Sequence, residues 1–322
     1  MTTPAVTAVK KSLPEVEISY IIESPYKTLL ESHPCIDDLI VIPEGLKTKG
    51  FLYFLKKIRK QSYDAVIDMH GGPRASWISL FSRSDIKIGY KIKYKNFIYD
   101  ISIPRSYGKK NIHSVENHIN LIKALGIQIP ETPSLFLPEA NSSEKKRVAQ
   151  LLSSFAGPKD RIIVLHISAG NIFRDWGQDN LIHLIDYFKQ KPHSKFILIG
   201  SNKDRKRETE ILKKITVPAL PLSGKLNFRE LKEVIHRSSL FIGPDSGPMH
   251  IASTTSTTII AIFGPTLPAH FSPWKAEAKI IRKEYDCIPC KQVECIHKDY
   301  RCLQSITPEE VYRAALSYLK DS

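Results

Sequence analysis

The chain has 322 residues, enough for two domains of about 150 residues each. Its 42% hydrophobic and 25% charged content is ordinary globular composition, which excludes fibrous, repeat and largely disordered classes. The net charge of +14 implies an anionic partner, while the longest apolar runs, such as Thr258–Phe263, fall far short of the ~20 residues of a membrane helix.

The elements follow in chain order. Pro4–Lys11 reads as a helix and Glu17–Ile22 as a strand. Tyr26–Ser32 reads as a short helix, Leu39–Ile42 as a strand, Phe51–Gln61 as an amphipathic helix and Ala65–Asp68 as a buried strand. Ser82–Lys110 then holds eight basic groups (Arg83, Lys87, Lys91, Lys93, Lys95, Arg105, Lys109, Lys110) against Asp85 and Asp100. That run is either a solvated face or a surface for an anionic partner. No zinc-finger, RNP or basic-zipper pattern accompanies it, so nucleic acid is not expected. A helix over Glu144–Ser153 precedes the turn cluster Gly157-Pro158-Lys159-Asp160, the expected domain boundary.

Alternation then resumes: strand Arg161–His166, helix Gln178–Gln190, strand Lys195–Ile199, helix Lys206–Lys214, and a short apolar stretch ending at Leu220. Helix Phe228–Arg237, strand Leu240–Ile242, helix Gly247–Ser253, strand Thr258–Phe263 and a closing helix Pro308–Leu319 complete it. Apolar strands alternating with helices predict doubly wound α/β domains with parallel sheets, residues 1–157 and 158–322. Ligands of such domains bind beyond the C-terminal ends of the strands, here in a central cleft. The first residues, MTTPAVTAVKKSLPE, lack the apolar core of a secretory signal, so a soluble, cytoplasmic chain is expected.

The turns at those strand ends carry the chemistry. GPDSGPMH (243–250) follows one strand and opens a helix, an arrangement that aims backbone N–H groups at an anion. Asp245 or Ser246 caps that helix, Gly243 and Gly247 permit close backbone approach, and His250 is either packed or a ligand contact. Ser168-Ala169-Gly170-Asn171-Ile172-Phe173-Arg174 offers a phosphate clamp through Arg174, against the reading of a surface loop. Gly200-Ser201-Asn202-Lys203-Asp204 places a carboxylate where ribose hydroxyls can donate, and Gly264-Pro265-Thr266 ends a fourth strand. Together these turns suggest a nucleotide diphosphate ligand. In the first half, Asp68, His70 and Arg74 of DMHGGPR are candidates for contact with an acceptor, although Asp68 equally fits a cap.

Cys287, Cys290, Cys295 and Cys302 form C-x2-C-x4-C-x6-C, a spacing open to structural zinc or to disulfides. Either would be a staple away from the chemistry. Cys35 stands alone and reads as a small buried hydrophobe.

GPDSGPMHIAS followed by FGPT resembles the signature of glycosyltransferase family 9, the ADP-heptose:lipopolysaccharide heptosyltransferases. HISAGNIFRDW, LSGKLNFRELKEVI, VIDMHGGPRAS with the later IGY, the cysteine cluster and the ITPEEV helix are similarly spaced, so the likeness spans the chain. It implies a GT-B fold of two Rossmann-like domains, the first binding acceptor and the second the nucleotide sugar. It implies inverting transfer of L-glycero-D-manno-heptose from ADP-heptose to Kdo or heptose of inner-core lipopolysaccharide. No cofactor would be required. The enzyme would be a cytoplasmic monomer, peripheral to the inner membrane.

By position, Arg174 stands for the family's basic residue on the donor diphosphate, and Asp204 for its ribose carboxylate. Asp245 and the N–H groups of Ser246, Gly247 and Met249 fall where heptose and diphosphate are held, and Ser168 and His250 are further donor-side candidates. Arg74, Lys91, Lys93 and Lys95 are the acceptor-side candidates. Two departures matter. Ile167-Ser168 replaces the family's Pro-Gly, and Thr2-Thr3-Pro4-Ala5 follows Met1 directly, where the family has a strand and a Gly-Asp loop supplying its general base. A late start assignment or a truncated relative would explain the second. Asp68 and His70 are the substitute bases within the chain. The rival readings are a non-catalytic nucleotide-sugar-binding relative and a nucleotide-sugar epimerase on the same fold.

Overall fold

The computed structural model describes residues 1–93, 96–105 and 111–319, so Lys95, Lys109 and Lys110 lie outside the described residues. The chain divides into two compact units, Met1–Pro138 and Glu139–Ser322. The division falls ahead of the Gly157–Asp160 turn cluster, because the intervening helix Ser142–Ser153 packs with the second unit, as described below.

In the first unit, α1 (Thr3–Ser12) leads to the parallel pair β1 (Ser19–Glu23) and β2 (Asp38–Ile42). The stretch expected as a helix from Tyr26 is a 3-10 helix over Ser24–Leu29, with Pro25 setting its first turn. After α2 (Thr48–Ile58) come β3 (Ser62–Ile67), α3 (Pro73–Phe81), β4 (Arg83–Tyr90), β5 (Ile101–Ile103) and α4 (Ser114–Lys123). β3, β4 and β5 form a second parallel sheet. The basic Ser82–Lys110 segment is therefore built on two strands, with Lys91 and Lys93 exposed beyond the end of β4. α4 is absent from the sequence reading because its N-cap is His113, an unusual residue there. His113 Nδ1 accepts from Val115 N at 3.3 Å, and Glu116 completes a capping box.

In the second unit, α5 (Ser142–Ser153) precedes β6 (Arg161–His166), α6 (Gln178–Tyr187), β7 (Ser194–Ile199), α7 (Arg205–Lys214) and β8 (Ala219–Pro221). There follow α8 (Phe228–His236), β9 (Leu240–Pro244), α9 (Gly247–Ala252), β10 (Thr258–Phe263), α10 (Pro268–Phe271), β11 (Ala278–Arg282), α11 (Arg301–Gln304) and α12 (Pro308–Tyr318). α5 rests on α8: Arg147 pairs with Glu230, and Asn227 Nδ2 donates to Glu144 Oε1 at 2.9 Å. The six strands lie parallel in the order β11-β10-β9-β6-β7-β8, the doubly wound order, with its switch point between β6 and β9. Asn141/Glu144, Asn227/Glu230 and Thr307/Glu310 capping boxes start α5, α8 and α12. The sheet core is close to dry: Ile163, Leu165, Leu198, Leu240, Ile242 and Ile260 have no exposed surface. α12 closes on α6 through Tyr312, stacked 5.3 Å from Tyr187 and edge-on to Phe188 at 4.9 Å. Among the described residues no helix is long and apolar enough to cross a membrane.

At the switch point β9 approaches β6 too closely for a side chain. A Cβ on Gly243 would lie 2.9 Å from His166 Cβ and 3.1 Å from the Phe241 ring. Gly243→Ala is expected to destabilise by ~1–3 kcal/mol through overpacking, read as a lower urea midpoint with unchanged slope.

Candidate functional site

The turns after β6, β9 and β10 converge on one carboxylate. Asp245 follows β9 and is 3% exposed. Its Oδ2 accepts from Thr266 Oγ1 at 2.7 Å and lies 3.6 Å from Arg174 Nη1, which also donates to the Asp245 carbonyl at 3.2 Å. Burial raises the Asp245 pKa, and the Thr266 hydroxyl and Arg174 cation oppose that rise. Arg174 meets Asp245 through Nη1, while its Nε is buried with no hydrogen-bond partner among the described residues. A buried guanidinium N–H without an acceptor is costly unless a ligand supplies one.

Arg174 is held by the loop that carries it. Asn171 Oδ1 accepts from Phe173 N at 3.0 Å and starts a 3-10 turn over Ile172–Arg174. Asp175 pairs bidentately with Arg207 of α7, and its Oδ1 also accepts from Gly177 N at 2.9 Å. Trp176 is buried, and its Nε1 donates to Ile306 O at 2.9 Å. The loop is thus pinned on both sides of Arg174.

Ser246 is the N-cap residue of α9 by position, but its hydroxyl makes no cap. It donates to Pro244 O at 3.1 Å and meets His166 Nδ1 at 3.0 Å. A hydroxyl that donates to Pro244 accepts from the histidine, which assigns the proton to Nδ1. Burial lowers the His166 pKa to about 4, so it stays neutral at pH 7. The first turn of α9 therefore has no side-chain cap, and a Cβ placed on Gly247 would meet nothing within 4 Å. The Met249 side chain is fully buried, so only its backbone N–H is a candidate for ligand contact; His250 is half-buried one turn in.

Asp204 has a structural duty as well. Its Oδ2 accepts from Ser201 N and Ser201 Oγ, both at 2.6 Å, in a capping box. Burial pushes its pKa up, but the Ser201 bonds and one from Ser168 outweigh it and hold the carboxyl below its ordinary value. Ser168 is nearly buried, and its Oγ also accepts from Gly170 N at 3.2 Å.

In the first unit both oxygens of Asp68 serve the turn that follows β3. Oδ1 accepts from His70 N at 2.9 Å and Gly71 N at 2.7 Å, and Oδ2 from Tyr99 Oη at 2.6 Å. Asp68 therefore ties down the turn rather than capping the next helix, whose N-cap is Gly72 with no side-chain cap. His70 is exposed with Nδ1 accepting from Gly72 N at 3.1 Å, and Arg74 pairs with Glu23 at 3.3 Å on the surface.

The cysteine-rich segment is not remote from these turns. Cys290 N donates to Pro265 O at 3.0 Å, Gln292 Oε1 accepts from Asn171 Nδ2 at 3.0 Å, and Tyr300 lies 5.8 Å from Phe173, ring to ring. The four thiols are half-buried and unbridged. Burial, with the other three cysteines, pushes Cys302 up to about 11. Yet among the described residues no three His, Cys, Asp or Glu side chains are grouped to hold a metal, so the zinc reading finds no chelate. His166, Thr266 and Arg207 are participants that the sequence did not single out as site residues. His166 is legible only as the last residue of a strand, and Arg207 is 32 residues from its partner Asp175.

The histidine generates a test. Folded His166 titrates near 4 against an ordinary 6.5, so between those values the unfolded chain takes up a proton that the folded chain refuses. Stability contributed by the neutral ring is present above pH 6.5 and lost toward pH 4, by about 3 kcal/mol. His166→Asn is expected to flatten that part of the stability–pH curve in denaturant titrations.

The model of glycosyltransferase family 9 (heptosyltransferase) matches residues 51–301. Lipopolysaccharide heptosyltransferase 3 of Escherichia coli K12 is 27% identical over 282 residues, covering 85% of this chain and 81% of its own. A solved family 9 glycosyltransferase from Veillonella parvula superposes with a TM-score of 0.85 at 24% identity, covering 99% of this chain and 92% of its own. E. coli ADP-heptose lps heptosyltransferase II superposes with a TM-score of 0.73 at 18% identity, over 99% and 94% of the two chains. The fold is GT-B, and the chain belongs to glycosyltransferase family 9.

Proposed function

We propose that the chain transfers L-glycero-D-manno-heptose from ADP-heptose to a Kdo or heptose residue of inner-core lipopolysaccharide, with inversion at the anomeric carbon. The observation that carries this reading is the partly exposed Arg174 guanidinium held beside Asp245, at the switch point of the second sheet. Its remaining N–H groups are the donors for a diphosphate. Asp204 keeps acceptor capacity for ribose hydroxyls beyond its bonds to Ser201, because a carboxylate offers about four lone-pair sites. Ser168, Ser246, His250 and the backbone N–H groups of Gly247 and Met249 line the remaining donor contacts. In the first unit, Arg74, Lys91, Lys93 and Lys95 attract the anionic core acceptor.

In the reaction the acceptor hydroxyl attacks the anomeric carbon, the glycosidic bond to ADP breaks, and the proton passes to a base. The transition state is oxocarbenium-like, and the chain's contribution is electrostatic: Arg174 is fixed before the leaving diphosphate develops charge. Asp68, with both oxygens engaged, is a positioning group rather than that base. His70, exposed beside the same turn, is then the remaining base candidate within the chain, and the second reading is a nucleotide-sugar-binding relative in which it does not act. The protein works in the cytoplasm, at the inner membrane where its acceptor resides.

Mass spectrometry of products from ADP-heptose with Kdo-terminated and heptose-terminated acceptors tests the proposal. A heptose mass on one acceptor supports transfer and names the acceptor; ADP binding without transfer supports the second reading. Arg174→Ala is expected to weaken ADP binding about 10- to 100-fold in calorimetry, the range of a lost charged hydrogen bond, with Arg174→Lys intermediate. Gly247→Ala has room in the apo fold, so its melting temperature should not move. Loss of ADP affinity in that variant would place the ligand against the Gly247 backbone.

A further inference from the structure

The outward face of α2 has a composition that the donor and acceptor residues leave unused. Lys47–Lys60 carries six cations, Lys47, Lys49, Lys56, Lys57, Arg59 and Lys60, and no acidic residue. All six are exposed, and none is in an ion pair among the described residues. The helix buries Phe54, Leu55 and Ile58 in a cluster with Ile42 and Ile78. Leu52 and Tyr53 are left 51% and 75% exposed on the other side. Lys49 and Lys56, seven residues or about two turns apart, fall on one stripe of the helix, with Tyr53 between them. Leu52 and Tyr53, standing out among lysines, form an amphipathic face of α2 that no other side chain covers among the described residues.

We infer that this face of α2 docks the protein on an anionic lipid bilayer. Leu52 and Tyr53 enter the headgroup–acyl boundary, and the lysines lie around them with their ammonium groups at the lipid phosphates. Charge complementarity selects the occupant: six cations with no intervening carboxylate match an anionic surface. The apolar centre selects lipid over nucleic acid, since a phosphate backbone pairs with the lysines but has no use for an exposed Leu52. The inference deepens the proposed function, resting on its reading of a membrane-borne acceptor, and adds the surface that brings the enzyme to it.

The test is co-sedimentation of the full chain with vesicles of phosphatidylcholine and phosphatidylglycerol, against vesicles of phosphatidylcholine alone. Binding to the anionic vesicles that falls with salt is expected. Each cation near such a surface is worth about fivefold in partitioning, so Lys56→Glu with Lys57→Glu should lower it more than about tenfold. Leu52→Ser with Tyr53→Ser should lower it too, with melting temperature and ADP affinity unchanged. Equal binding to both vesicle types, or variants that sediment like the parent, would overturn the inference. So would loss of binding to single-stranded RNA in these variants with no vesicle binding by the parent. Transfer to a detergent-dispersed acceptor separates the two claims. If the parent transfers and the variants bind vesicles normally, the docking face is wrong and the proposed function stands. If the parent does not transfer to either acceptor, the proposed function fails, and vesicle binding still decides the docking face.

Discussion

A carboxylate buried at the end of β9 organises the second unit. Asp245 sits where burial penalises its charge, and the cost is offset by the Thr266 hydroxyl and the Arg174 guanidinium. Those two groups come from the turns after β10 and β6, so satisfying one side chain draws three strand ends together. The chain meets the same need from the other direction. Arg174 is presented by a loop whose next two residues are locked, Asp175 to Arg207 and Trp176 to Ile306. The guanidinium is thus oriented by contacts within its own unit.

The backbone geometry at the switch point has the same logic. Gly243 lets β9 lie close to β6, which brings His166 into reach of Ser246. The serine hydroxyl turns to the histidine and to Pro244 and leaves the first turn of α9 uncapped. Much of the polar chemistry in this region is committed before any ligand is present. The Asp204 carboxylate and the Asp68 carboxylate are likewise engaged by their own turns, which shows how one residue type at a strand end serves both as a fold anchor and as a site candidate.

Much of the second unit was legible in the chain. Buried strands of five or six apolar residues separated by amphipathic helices gave β6, β7, β9 and β10 within a residue or two. Asn141, Asn227 and Thr307, each followed three residues later by Glu, cap the helices that the sequence reading begins at Glu144, Phe228 and Pro308. The first unit was less legible between residues 73 and 123. α3 carries Ser76 and Ser79 on its buried side, β5 is three residues long, and α4 is capped by a histidine, so each lacks the signal that periodicity or capping rules use. The spacing of the cysteine segment left zinc and disulfides open, and among the described residues the four thiols are unbridged with no three metal-ligating side chains grouped.

What the sequence determined by itself is the set of local preferences: which segments bury both faces, where helices begin, and which small-residue turns end the strands. Those follow from the nearest few neighbours along the chain, and the resemblance of the motifs in those turns pointed to the family and to Arg174, Asp204 and Asp245. Only the tertiary structure decided which partners those residues have. Arg207 reaching Asp175, Thr266 reaching Asp245 and His166 reaching Ser246 are contacts across 32, 21 and 80 residues. No local pattern encodes such pairs, because they form only when the parallel sheet sets distant strand ends side by side and burial makes each unpaired polar group costly.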